Sequence, residues 1–135
     1  MTPTLSGSWQ TRFFLTVVVG LTVALFFVIV FRSNVPLLVL GMAFVSGLIW
    51  DVFYNRLQKF FWDHDWPPVL QVAASVYEGC FIAVLIFLVV LLDSLPTGAM
   101  FVLNYSTVWL ATFIASHSLL RILFPHWRFR GGRWF

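Results

Sequence analysis

The chain reads as an all-α integral membrane protein: a four-helix bundle with both termini in the cytoplasm and a second helix prolonged into a cytoplasmic interfacial segment. Three observations predict it. Of 135 residues, 61% are hydrophobic and only 10% charged, with a mean hydropathy of +0.94. A soluble domain carries about 25% charged residues, so these few charges could not cover a globule, whereas hydrocarbon accepts apolar side chains on the outside. The apolar residues fall into four runs, each long enough for the ~20 residues that a helix needs to cross a bilayer. With four crossings, the N-terminus, the central loop and the C-terminus share one side. That side holds Arg12, Arg56, Lys59, Arg121, Arg128, Arg130 and Arg133, and the other keeps only Arg32. Basic residues mark the cytoplasmic face.

The first run, Phe13 to Phe31, has no charge and is expected to be an uncharged anchor helix over 13–31. At this length, and with no Ala-x-Ala site after it, it reads as a span and not as a cleaved signal. Pro36 opens the second run in the first turn of a helix, where a missing N–H costs nothing. Asp51 interrupts this run, yet Leu57, Phe60 and Phe61 continue it at helical spacing among Asn55, Arg56, Gln58 and Lys59. The expected helix is therefore 35–61, its end lying in the headgroup layer. Pro67 and Pro68 open a third helix, about 67–92, with Asp65 as its N-cap. A turn rich in helix breakers around Pro96 and Gly98 leads to a fourth helix, about 99–123. A basic aromatic tail, 124–135, completes one transmembrane domain.

Few residues here carry recognisable chemistry. Nothing in the sequence forms a nucleophile–base set, a phosphate loop or a dinucleotide fingerprint. The single cysteine, Cys80, rules out a Cys-x-x-Cys relay. No catalytic residue, metal or cofactor is predicted, nor is nucleic acid a partner.

Glu78 is the most informative position. It lies nine residues beyond Val69, about 13 Å along a helix, where a charge costs on the order of 2.5–3.5 kcal/mol. Gln71, Ser75 and Glu78 share a face, beside a small-residue stripe of Ser75, Gly79 and Ala83. Glu78 is therefore expected to face protein, either as a proton or cation site or as a paired carboxyl that fixes helix register. Asp51, His117 and Arg121 lie toward the same membrane side, and Arg121 is the expected counter-ion of Asp51 or Glu78. His117 could hold a pigment, although one such histidine is too few for a bis-histidine haem. The loop residues Trp62, Asp63, His64, Asp65 and Trp66 suggest a cytoplasmic docking surface. In the tail, Arg128, Arg130 and Arg133 with Trp127 and Trp134 suit anionic headgroups or a partner subunit.

The expected function is non-enzymatic: an accessory subunit or scaffold of a larger membrane complex, in contact with other membrane subunits or with copies of itself. Its support is the aromatic content and the small-residue stripes, including Ala43 and Gly47 on the second helix. The alternative is a small oligomeric proton-coupled transporter or channel using Glu78, and a second alternative is a pigment-binding subunit. The expected membrane is a bacterial inner membrane or an equivalent energy-transducing one.

Overall fold

The computed structural model describes residues 4–60, 67–90 and 98–126, with side chains as far as Leu88 in the second stretch. Four helices are long and apolar enough to cross a membrane, and no strand occurs among the described residues. We number them α1 (Leu5–Phe31), α2 (Val35–Gln58), α3 (Pro68–Val90) and α4 (Gly98–Leu123). Their mean hydropathies over a span window fall from 2.9 in α1 to 1.4 in α4. The chain is an α-helical membrane protein.

α1 begins at Leu5, well before the expected Phe13. Thr4 caps it in extended geometry, its hydroxyl accepting the Gly7 N–H at 3.2 Å. The polar segment 5–12 is thus helix, and α1 carries Arg12 within it. The anchor is not uncharged. Its 27 residues make it about 40 Å long, which places Arg12 roughly 10 Å in from the helix start.

Thr16–Gly20 forms a π turn, closed by Leu21 N–H donating to the Thr16 carbonyl. The neighbouring packing is close at this point: a Cβ added to Gly20 would come within 2.9 Å of Leu40 Cδ1 and 3.7 Å of Val108 Cγ1. Arg32 ends α1 in the left-handed region (φ 50°, ψ 39°), where a β-carbon costs on the order of 1–2 kcal/mol.

α2 starts at Val35 with Pro36 in its first turn and ends at Gln58, where Lys59 and Phe60 form a turn. It stops short of the expected residue 61. α4 is interrupted at Ser118 (φ −112°, ψ −67°), between Gly98–His117 and Leu119–Leu123.

α1 packs on α2 and α4, whereas α3 rests chiefly on α2. Two apolar clusters hold the bundle. Val39, Ile82 and Ile86 join α2 to α3, with Phe101 and Tyr105 of α4 against them. Leu15, Ala115 and Leu120 join α1 to α4. Outward positions stay apolar, as at Phe26, Ile29, Val45, Val76 and Ile114, which suits a lipid-facing surface.

Candidate functional site: an arginine between two buried carboxylates

The guanidinium of Arg12 lies between α2 and α3 and holds a carboxylate from each. Nε and Nη2 donate to Asp51 Oδ2 and Oδ1 at 2.9 and 2.7 Å. Nη1 and Nη2 donate to Glu78 Oε2 and Oε1 at 3.2 and 3.3 Å. Four of the five N–H donors of a guanidinium are engaged in this fork-to-fork geometry, which lysine could not reproduce. Asp51 and Glu78 are both buried, at 8% exposure each.

The pairing answers a physical demand. Either carboxylate alone would be an uncompensated charge in a medium of low dielectric, and one arginine lowers that penalty for both. Arg12 neutralises one negative charge, so with both carboxylates ionised the cluster keeps a net charge of minus one. The bonds to Asp51 are shorter than those to Glu78. Asp51 is therefore the anchor of the guanidinium and Glu78 its looser partner.

Neighbouring residues fit around this arrangement. A methyl group built on Gly47 would overlap Nη1 and Cζ of Arg12 and come within 3.0 Å of its Nε. The arginine crosses α2 there because no side chain blocks it. Gly79 gives similar room to the ring of Tyr105, whose Cε1 would lie 2.8 Å from an added Cβ. The Tyr105 hydroxyl donates to the Ser75 carbonyl at 2.9 Å. The Tyr54 hydroxyl donates to the Ala74 carbonyl at 3.5 Å.

A cavity of about 490 Å³ leads to the cluster from one end of the bundle. All four helices contribute: residues 7–16 of α1, 51–58 of α2, 68–78 of α3 and 109–121 of α4, with Pro67 beside them. The volume falls within the ~300–1,000 Å³ typical of small-molecule sites. Thr11, Asn55, Gln58, Gln71, Ser75 and Ser116 bring polar groups to a lining that is otherwise mainly apolar. Trp109 and Phe113, stacked at 5.1 Å, supply an aromatic wall.

The structure brings Asp51 and Glu78 together, but through Arg12 and not through the expected Arg121. Arg121 is exposed, lines the same cavity and makes no salt bridge among the described residues. The break at Ser118 separates it from the regular part of α4. His117 also lines the cavity. Its Nδ1 lies 3.0 Å from both the Ser116 hydroxyl and the Phe113 carbonyl, and its ring packs on Phe113 at 4.5 Å.

The docking-loop residues Trp62, Asp63, His64, Asp65 and Trp66 lie outside the described residues, as do Trp127, Arg128, Arg130, Arg133 and Trp134 of the tail. Among the described residues, no group of three or more His, Cys, Asp or Glu could hold a metal ion. From the sequence, Arg12 counts only as one of the basic residues that set orientation, Gly47 only as part of a small-residue stripe, and Tyr54 carries no expectation. The signal for Arg12 was present, since two carboxylates buried at one end require a cation from that end. Compared with known proteins, the chain matches no family model, no curated protein and no solved structure.

Proposed function

We propose that the chain is a small proton-coupled membrane transporter in which protons and a cationic solute compete for the negative charge held at Glu78. The observation that carries this is a cavity of small-molecule size ending on two buried carboxylates that share a single arginine. Protonation of Glu78 makes the cluster neutral, and so does a cation bound against its carboxylate. The two ligands therefore exclude one another, which is the thermodynamic requirement for exchange. Asp51 keeps Arg12 in place throughout. By the distribution of basic residues, the cavity faces the cytoplasm, in the bacterial inner membrane or its equivalent.

The expected accessory-subunit role drew on the aromatic content and on small-residue stripes. Within this chain Gly47 accommodates Arg12 and Gly79 accommodates Tyr105, so neither glycine needs a second chain to explain it.

The test is flux in liposomes containing only this protein, with a pH-sensitive dye inside and a panel of inorganic and organic cations outside. Cation-driven proton movement is expected from the wild type and should be lost in Glu78→Gln. Absence of movement with every cation would end the transport proposal. A stoichiometric partner recovered in mild detergent would then favour the accessory subunit.

A further inference from the structure

A second, smaller cavity of about 80 Å³ lies beyond the ion cluster. Arg12, Thr16, Glu78, Trp109 and Thr112 line both cavities, so the cluster stands at their boundary. The other walls of the small cavity are residues 39–44 of α2 and 104–108 of α4, further along both helices from the large cavity.

Asn104 lines this chamber. It is 1% exposed, and neither Nδ2 nor Oδ1 has a hydrogen-bond partner among the described residues. More than nine in ten buried polar groups are paired, so an amide with both ends unpaired calls for a partner of another kind. It offers donors and acceptors together. Water meets both needs, whereas a bare cation could be held only by the carbonyl end. Thr16, Thr112 and Glu78 are further polar residues of the wall, the Thr112 hydroxyl donating to the Trp109 carbonyl at 2.8 Å and free to accept. They provide the two to four partners that a buried water requires, and there is room for a few waters at about 30 Å³ each.

We propose that the Asn104 chamber is a built-in water site that hydrates Glu78 from the side of the ion pair facing away from the large cavity. Its use in transport rests on the function proposed above, but its hydration does not. With water on that side, Glu78 has hydrogen-bonding partners on both faces of the cluster and can part from Arg12 without losing solvation. Val39, which is part of the chamber wall, packs against Ile82, and both are nearly inaccessible.

The experiment uses the full chain in lipid nanodiscs with 15N-labelled asparagine side chains. The sequence has three asparagines, Asn34, Asn55 and Asn104, and Asn104→Leu identifies the signal that disappears. Magnetisation transfer from water to the Asn104 amide is expected, and its absence would overturn the proposal. Val108→Ile fills the chamber without altering a polar group, so it should reduce that transfer even if Asn104→Leu fails to fold; unchanged transfer would place the water elsewhere and overturn the site. Neither measurement reads flux, so a wild type without flux removes the transport function while leaving this result to stand or fall by itself.

Discussion

The two halves of the bundle are built on opposite principles. In the half that contains the large cavity, the helices surround polar side chains, and an arginine from α1 joins carboxylates of α2 and α3. In the other half, Val39, Ile82 and Ile86 pack directly together, at 2%, 0% and 6% exposure. Lipid is as apolar as that packed core, so the apolar half gains contact and shape but little hydrophobic driving force. The polar half is different because its charges have no alternative partner in hydrocarbon. Specific association in this chain is therefore expected to depend most on Arg12, which is also where the candidate chemistry lies.

Substitutions can break this contrast or sharpen it. The largest effect is expected for Arg12→Ala, which strands two buried carboxylates. Removing one partner of a buried ion pair costs about 3–5 kcal/mol, measurable by denaturant unfolding in mixed micelles. Adding Glu78→Gln to that variant should recover part of the loss, because one stranded charge disappears. No recovery would mean that Glu78 does not bear on Arg12.

Gly47→Ala comes next. It leaves every charge intact but puts a methyl group where the guanidinium crosses α2. Overpacking of this kind costs about 1–3 kcal/mol, and proton movement should fall with stability. Full stability with full activity would show that Arg12 has another route to Asp51. Ile82→Ala in the apolar half should cost less than the ~2–5 kcal/mol of a soluble core and leave transport unchanged. A loss as large as that of Arg12→Ala would erase the contrast between the halves.

The spans were legible because hydropathy reports the solvent directly. Breakers such as Pro36, Pro67 and Gly98 set the helix limits closely. The start of α1 was less legible, since Leu5 to Arg12 is polar and an arginine beside an apolar run resembles a headgroup anchor. Only its tertiary partners distinguish a paired Arg12 from an anchoring one. Asp51 and Glu78 stood out as ionisable residues in apolar runs, but the choice of cation did not. Arg121 matches Asp51 and Glu78 in position along the chain, and the break at Ser118 is not evident from local composition. Asn104 is one of several polar residues along α4 in the sequence, and nothing there singles it out, because an unpaired amide and its chamber exist only once the helices are packed.

The central claim is that Glu78 is the exchangeable member of the cluster, and the chain offers direct access to it. Glu78 is its only glutamate, so glutamate labelled with 13C at the side-chain carboxyl gives one resonance, from this group alone. In lipid nanodiscs that resonance should shift between ionised and protonated positions as pH is lowered. Adding a transported cation should drive it back toward the ionised position. A resonance that keeps one position over the whole pH range in which the protein stays folded, and ignores every cation tested, would contradict the account and leave Glu78 as a purely structural partner of Arg12.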